Sequence, residues 1–308
     1  MNIAIIGAGG VGGYFGGKLA ASGANVTFVA RGSHLEALKT HGLKVTSING
    51  SFVLFPVHAT DTIENIPQPD LVLVCTKAWQ VKNVAKQLKY VLKENTIVLG
   101  LQNGILAADE LSAEIGSKHV LCGLCRIFSK IEEPGHIVHS GVEPTIVFGE
   151  ADNKQTQRVQ QIKALFDLAG FQSKIAGDIQ AELWKKFISI CVSGLLAVTR
   201  SNYGQVREIA ETRQMMVDLL NEGFALSQKA GISIEPGFVE KTVAFIDSFP
   251  YETTSSLTRD VWEGKPSEIE YQNGTMIKLG EKYGIGTPVN RFVYNCILPM
   301  ETRARRQK

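Results

Sequence analysis

The sequence predicts an α/β domain followed by an all-α domain. Residues 3–6 form an apolar run of strand type, and a glycine-rich turn and a helical pattern follow it directly. Residues 70–75 and 96–99 are two further continuous apolar runs, which are typical of strands buried in a parallel sheet. From Asp178 onward helical periodicity replaces the strand patterns. We therefore expect a domain boundary near Gly177, with an α/β domain in residues 1–177 and a helical domain in residues 178–308.

Residues 1–31 have the order of a dinucleotide-binding unit, and their turn reads Gly7-Ala8-Gly9-Gly10-Val11-Gly12. Gly7 permits the tight turn, Gly9 lets backbone N–H groups approach a pyrophosphate, and Gly12 lets the helix pack against the strand. The anion is expected at the helix N-terminus, which carries unpaired N–H groups and partial positive charge. A turn that binds nothing is disfavoured because the strand and the helix that the motif requires are both present. The first domain is thus predicted to be a Rossmann-type dinucleotide-binding domain.

Arg31 follows the second strand of this unit, residues 25–29. An NAD-binding unit usually has Asp or Glu here, which holds the ribose 2′-hydroxyl, whereas a cation suits a 2′-phosphate. Ser33 adds a hydroxyl nearby. The pattern favours NADPH/NADP+ over NAD(H), and the alternative is an arginine that is merely exposed to solvent.

The composition is that of an ordinary globular protein, with 308 residues, 44% hydrophobic and 20% charged. A formal net charge of +2 argues against a dedicated nucleic-acid binder. We expect no signal peptide and no membrane-spanning segment, because the first residues already form a core strand and no apolar run is long enough. The five cysteines are scattered, which fits a reducing cytoplasm. A homodimer is a reasonable expectation for a cytoplasmic protein of this size.

No metal site is expected. Cys122 and Cys125 have the spacing of a metal or redox motif, but no second pair exists and the segment has the pattern of a buried strand. His136 and His139 flank two apolar residues and are interpreted as part of a strand or loop.

Lys77 and Asn103 each follow one of the buried parallel strands. In open α/β sheets the ligand lies at the carboxyl ends of the strands. The glycine-rich turn, Arg31, Lys77 and Asn103 therefore reach the same edge of the sheet. Lys77 alone could be a solvated lysine, and Asn103-Gly104 alone could be a plain turn. A shared ligand explains the four features together better than these separate alternatives do.

The first helix of the second domain carries two adjacent lysines with different surroundings. Lys186 shares one stripe with apolar residues by its spacing, whereas Lys185 lies on a polar stripe and is expected to be solvated. A lysine on an apolar stripe either extends to the rim or is held there for function.

Two short polar segments further along the chain are open to two interpretations each. Ser267 and Glu270 fit a capping box, which leaves Glu268 in the first helical turn. Glu268 either favours the helix dipole or has a functional role, which is to bind the cofactor or to orient the lysine. Ser255 and Ser256 either cap a helix or hydrogen-bond a substrate carboxylate.

The chain resembles the ketopantoate reductase (2-dehydropantoate 2-reductase) family over nearly its whole length. The resemblance is carried by the glycine-rich turn with Arg31 and by the segments Thr76-Lys77-Ala78-Trp79-Gln80, Gln102-Asn103-Gly104, Leu183-Trp184-Lys185-Lys186, Ser255-Ser256-Leu257 and Glu268-Ile269-Glu270. It implies a Rossmann domain with a helical domain, NADPH bound in the cleft, and reduction of ketopantoate to (R)-pantoate in pantothenate and coenzyme A biosynthesis. It also implies a general-acid lysine at Lys186 and a cofactor-side glutamate at Glu268. Lys77 and Asn103 would contact cofactor and substrate, and Asn103, Lys186 and Ser256 would contact the 2-oxo acid.

The sequence departs from this family at two positions. Well-characterised members carry asparagines one and two turns after the lysine, and this chain has Ile190 and Gly194 there. Ser189, Ser193 or Asn202 are candidates to replace the missing amides. The departure leaves open a reductase of a different 2-oxo acid on the same scaffold. A second alternative, a non-catalytic NADP-binding module, is disfavoured because Lys186 and Glu268 are both present.

Overall fold

The computed structural model describes residues 1–306, and it contains two compact units. The first unit comprises Met1–Gln102 and Leu106–Ile179, and the second comprises Asn103–Ile105 and the chain from Gln180 onward. A mixed sheet with flanking helices builds the first unit, and helices alone build the second. The predicted fold class is confirmed.

The first unit holds all the strands of residues 1–306, in a sheet of order β4-β3-β9-β8-β7-β6-β1-β2-β5 with β10 beside β9. These strands are β1 Asn2–Ile6, β2 Asn25–Val29, β3 Leu43–Ser47, β4 Phe52–Leu54, β5 His58–Thr60, β6 Leu71–Val74, β7 Ile97–Gly100, β8 Val120–Glu133, β9 His136–Gly149 and β10 Gln172–Ile175. Its helices are α1 Gly10–Ala21, α2 Gly32–His41, α3 Val81–Leu88, α4 Ala107–Ile115 and α5 Gln157–Leu168, with 3₁₀ turns at Ala78–Gln80 and Ser117–His119.

The four central strands β7, β6, β1 and β2 are parallel neighbours. Their side chains are nearly all buried on both faces, as the continuous apolar runs predict. Because the strands are parallel, their carboxyl ends meet at one edge of the sheet. The glycine-rich turn follows β1 at this edge, and the segments that follow β2, β6 and β7 begin there too.

The strands β8 and β9 form a long antiparallel hairpin, in which β8 pairs with β7 and β9 pairs with β3. The sequence pattern predicts three shorter strands here, at residues 120–130, 135–140 and 145–149. Instead β9 continues through Gly141, which has φ +77°. A register shift between Arg126 and Phe128 accommodates the extra residues of β9. Cys122 and Cys125 are buried in β8, so the strand interpretation is confirmed.

The second unit contains most of α6 Ile179–Ile190 and seven further α-helices in the chain to Arg306. They are α7 Val192–Thr199, α8 Tyr203–Glu208, α9 Ala210–Lys229, α10 Phe238–Asp247, α11 Ser256–Trp262, α12 Asn273–Tyr283 and α13 Pro288–Arg306, with a 3₁₀ turn at Ile269–Tyr271. The single helix predicted for residues 179–198 is broken at Cys191, and the one predicted for residues 205–230 is broken at Ile209.

None of the helices within residues 1–306 combines the length and apolarity needed to cross a bilayer.

Candidate functional site

The glycine-rich turn connects β1 to α1 by a close approach that only glycine allows. Gly7 has φ +98°, a conformation that L side chains rarely adopt. A Cβ built on Gly12 would lie 2.1 Å from the carbonyl oxygen of Gly7 and 2.8 Å from Cγ2 of Ile5. Helix α1 can therefore begin directly above the end of β1 only because residue 12 has no side chain.

The N–H groups at the start of α1 have no side-chain cap. The N–H groups of Gly7 and Ala8 both donate to the carbonyl oxygen of Val29, at 3.0 and 3.1 Å, so they are already used by the sheet. Gly9 is the N-cap of α1 and supplies no side-chain cap, and nothing lies within 4 Å of a Cβ built on it. The first N–H groups of a helix have no intrahelical partner, and the space beside Gly9 is open.

Two hydroxyls beside the turn are buried and lack a hydrogen-bond partner within residues 1–306, namely Thr76 Oγ1 and Ser129 Oγ. Thr76 contacts the turn, because a Cβ on Gly7 would lie 3.0 Å from its backbone nitrogen. Ser129 lies on the other side, with its carbonyl oxygen 2.7 Å from a Cβ built on Gly10. Buried polar atoms normally have partners, so the orphaned hydroxyls fit a polar ligand at this turn.

Arg31 and Lys77 follow β2 and β6 at the same edge. Arg31 is the exposed N-cap of α2, and it forms no ion pair with any residue from 1 to 306. Lys77 is half-buried at the start of a 3₁₀ turn, and its ammonium lies 5.9 Å from the ring centroid of Trp79. Gln102 Nε2 fixes the end of β6 by donating to the carbonyl oxygens of Val74 and Thr76, at 2.8 and 3.1 Å.

Asn103 follows β7 and belongs to the second unit, where it contacts Glu268. Asn103 Nδ2 donates to Glu268 Oε2 at 3.2 Å, although 165 positions separate the two residues in the sequence. Glu268 is only 5% exposed. The neighbouring Gly104 has φ +93°, and a Cβ there would lie 2.7 Å from the carbonyl oxygen of Tyr271. Two residues inferred from separate motifs are thus brought together.

The capping box predicted around Glu268 is wrong. The N–H and Oγ of Ser267 both donate to Glu301 Oε2, at 2.9 and 2.6 Å, and Glu270 accepts from the hydroxyl of Tyr294 at 2.5 Å. Ser267 is fully buried, and its N–H is paired with the buried carboxylate of Glu301. In a capping box the carboxylate of Glu270 would accept from that N–H instead. A 3₁₀ turn takes the place of the helix start, and Glu268 is its N-cap.

The two lysines of α6 differ, but not as the sequence indicated. Lys186 is half-buried. Lys185 was expected to be solvated, whereas its ammonium lies 2.7 Å from Glu235 Oε2 and only 24% of its side chain is exposed. The charge of Lys185 is therefore held by a carboxylate from the loop before α10.

Of the two roles considered for Ser255 and Ser256, the structure shows the helix cap. Ser255 is the N-cap of α11, because its Oγ accepts from the N–H of Thr258 at 3.0 Å. Ser256 is the first residue of the helix and is exposed.

Residue 194, where the resemblance implies an asparagine, is packed against two other helices, α12 and α13. A Cβ built on Gly194 would lie 2.6 Å from Val293 Cγ1 and 2.7 Å from Asn273 Oδ1. Asn273 is fully buried, and its Nδ2 donates to Cys191 O and to Asn290 Oδ1 at 3.1 and 2.9 Å.

The three candidate replacements for the missing amides each have an intramolecular partner. Ser189 Oγ donates to the Lys185 carbonyl at 2.8 Å, and Asn202 Oδ1 caps α8 by accepting from the N–H of Gln205 at 2.9 Å. Ser193 is buried and hydrogen-bonds Tyr203. Burial raises the pKa of Tyr203, and the contact with Ser193 opposes part of this shift.

The site also contains a residue that the sequence did not reveal. His34 Nε2 hydrogen-bonds the carbonyl oxygen of Ala8 at 2.8 Å, and the N–H of Gly135 donates to His34 Nδ1 at 3.0 Å. Gly135 lies 101 positions away, so no local pattern points to the contact.

The model of the family described as "Ketopantoate reductase PanE/ApbA" matches residues 3–153, and the model of its C-terminal domain matches residues 178–301. The chain belongs to the ketopantoate reductase family. It is 29% identical over 297 residues to the oxidoreductase YkpB of Bacillus subtilis, covering 96% of this chain and 97% of that protein. It is also 29% identical over 303 residues to the 2-dehydropantoate 2-reductase of Archaeoglobus fulgidus, covering 98% of both.

A solved structure of the 2-dehydropantoate 2-reductase of Geobacter metallireducens has a TM-score of 0.92 to this chain at 29% identity. It covers 97% of this chain and 99% of that one. Membership of the family makes the protein an oxidoreductase that acts on CH–OH groups with NADPH/NADP+ as cofactor.

Proposed function

We propose that this protein reduces 2-dehydropantoate (ketopantoate) to (R)-pantoate with NADPH, a step of pantothenate and coenzyme A biosynthesis. The observation that carries the proposal is the contact between Asn103 and Glu268. One residue was inferred from a strand end and the other from a helical segment, and both lie in the unit that carries Lys186. A cytoplasmic location and a homodimer remain predictions.

The proposed cofactor residues are Gly7, Ala8, Gly9, Gly10, Val11, Gly12, Arg31, Lys77, Asn103 and Glu268. The open N–H groups at Gly9 and the start of α1 would hold the pyrophosphate. The guanidinium of Arg31, which no carboxylate neutralises within residues 1–306, would hold the 2′-phosphate. Asn103, Lys186 and Ser256 are the proposed substrate residues.

The reaction adds a hydride to the ketone carbon and a proton to its oxygen, so the 2-oxo acid becomes a 2-hydroxy acid. Bound NADPH supplies the hydride. Lys186 stabilises the negative charge that develops on the oxygen and donates the proton to it. Glu268 accepts from Asn103 and so fixes the orientation of that amide. Half-burial of Lys186 on α6 limits the water that competes for the same oxygen.

Reduction of a different 2-oxo acid is the second candidate. It is favoured by Ile190 and Gly194, since the side-chain position at residue 194 is occupied by Asn273 and Val293. An amide lost from a substrate site removes a hydrogen bond worth roughly 1 kcal/mol. Discrimination among 2-oxo acids is therefore expected to differ from that of members with both asparagines.

The test is NADPH oxidation over a panel of 2-oxo acids, with Lys186→Ala and Lys185→Ala compared on the best substrate. Lys186→Ala should lower kcat by about 10²–10⁴ while NADPH still binds. Lys185→Ala removes the neighbouring charge and the contact with Glu235 but should leave kcat close to wild type. Turnover with ketopantoate supports the proposal, and turnover only with another acid supports the second candidate. Unchanged kcat in Lys186→Ala would remove the lysine from the mechanism.

A further inference from the structure

The carbonyl group of Ala8 is held inside the turn that would bind the cofactor. The N–H of Ala8 donates to Val29 O at 3.1 Å, and its carbonyl oxygen accepts from His34 Nε2 at 2.8 Å. Strand β2 and helix α2 therefore hold the residue from its two sides. His34 lies three positions after Arg31, in the first turn of α2.

The tautomer of His34 follows from its partners. The N–H of Gly135 can only donate, so Nδ1 of His34 must carry a lone pair. A neutral imidazole then has its hydrogen on Nε2, and the partner of Nε2 is a carbonyl oxygen that can only accept. Only this neutral tautomer satisfies both contacts. Gly135 itself is anchored, because its carbonyl oxygen accepts from the N–H of Lys44 at 2.9 Å.

Fixing the carbonyl of Ala8 also fixes the next N–H group. The peptide bond is planar and trans, so the N–H of Gly9 points opposite to the carbonyl of Ala8. The His34 contact turns that carbonyl toward α2, and the N–H of Gly9 is thereby turned away from α2. Gly9 is the position with no atom within 4 Å of an added Cβ, where an anion has room to approach.

We infer that His34 is a positioning residue for the dinucleotide, which acts through the Ala8 carbonyl to aim the Gly9 N–H at the pyrophosphate. The inference rests on the proposed function, because it requires the turn to bind the cofactor. It extends that function to a residue outside the glycine motif, and to the turn between β8 and β9, which sets the tautomer through Gly135. NADPH and NADH share the pyrophosphate, so His34 should affect both equally, whereas Arg31 should affect NADPH alone.

Two substitutions separate the contacts of the imidazole. His34→Gln places an amide nitrogen near the position of Nε2 and keeps a donor for Ala8, whereas His34→Asn places its amide near Nδ1 and loses that donor. His41→Gln is the matched control, because His41 is an exposed histidine at the end of the same helix. Binding of NADPH and NADH is measured by fluorescence titration without substrate, and the thermal midpoint of each variant is measured in parallel.

His34→Asn should raise the dissociation constants of NADPH and NADH by the same factor, roughly two- to tenfold. His34→Gln should restore most of the affinity, and His41→Gln should match wild type. Affinities unchanged in His34→Asn, or equal losses in the Asn and Gln variants, would overturn the role of the Ala8 contact and leave the proposed function intact. Wild-type protein that binds neither dinucleotide would overturn the proposed function and this inference together.

Discussion

Two alanine substitutions in the glycine-rich turn should separate folding from cofactor binding. Gly12→Ala places a methyl group 2.1 Å from the Gly7 carbonyl oxygen and 2.8 Å from Ile5 Cγ2, and both neighbours belong to or follow the core strand β1. Gly9→Ala places the same methyl group where no atom lies within 4 Å. The two changes are chemically identical and lie three residues apart, so each is the control for the other.

The expected magnitudes follow from these contacts. Gly12→Ala must move the start of α1 away from β1, and overpacking of this kind costs about 1–3 kcal/mol. At roughly 2–4 °C per kcal/mol for a domain of this size, the thermal midpoint should fall by several degrees. The displaced helix N-terminus should also bind NADPH less tightly. Gly9 has φ −72° and ψ −161°, which alanine adopts freely, so its stability should change by less than about 0.5 kcal/mol.

Gly9→Ala should nevertheless weaken the binding of NADPH, because its methyl group occupies the space through which the pyrophosphate approaches the N–H groups. Thermal unfolding and NADPH titration of both variants give the answer. If Gly9→Ala binds NADPH as tightly as wild type, the pyrophosphate does not lie on this turn. If Gly12→Ala unfolds at the wild-type temperature, residue 12 does not hold α1 against β1 by close packing.

The remaining predictions concern the cofactor phosphate, the buried glutamate and the response to acid. Arg31→Ala should weaken the binding of NADPH by about tenfold or more, the size of a charge-assisted hydrogen bond, and leave the binding of NADH nearly unchanged. Equal losses of affinity in a paired titration would contradict the assignment. Glu268→Gln keeps an acceptor for Asn103 but removes the negative charge. The kcat/KM should fall by about tenfold, while the thermal unfolding midpoint should not change. Unaltered steady-state kinetics would exclude a functional charge at this position. Burial lowers the pKa of His34 below its ordinary 6.5, with the Ala8 contact opposing the shift. As the pH falls, the imidazole of His34 is therefore protonated in the unfolded chain before it is protonated in the folded protein. Its contribution to stability is complete above about pH 6.5 and is lost as the pH falls toward the lowered pKa. Denaturant unfolding near about pH 7.5 and about pH 5.5 should show a smaller acid loss in His34→Gln than in wild type, and identical losses would contradict this.

The features predicted correctly from the sequence depend on contacts that are local or repeat regularly. Neighbours within a few residues specify the turn after β1 and the buried parallel strands. They also specify the hairpin between β3 and β4, which is predicted by Asn49-Gly50-Ser51 between two strand patterns. The same holds for the helical second unit, whose periodicity is visible without knowledge of the packing.

The features that the sequence missed depend on partners far along the chain. Ser267 has the pattern of a local cap, but Glu301 lies 34 positions later and takes both of its donors. Lys185 has the pattern of a solvated residue, but Glu235 approaches it from a loop fifty positions away. Buried or half-buried polar groups seek the nearest strong partner in space, and a linear pattern does not show which partner that is.

The contact between Gly194 and Asn273 restricts how this chain can change by mutation. An asparagine introduced at residue 194 alone would collide with the carboxamide of Asn273 and with Val293. Removing Asn273 first would leave Asn290 Oδ1 without its donor, and the Cys191 carbonyl would keep only the N–H of Gly194, at 3.3 Å. Either order passes through a less stable intermediate. An asparagine at residue 194 therefore requires changes at Asn273 and Val293 as well, so no single substitution can introduce it without a loss of stability.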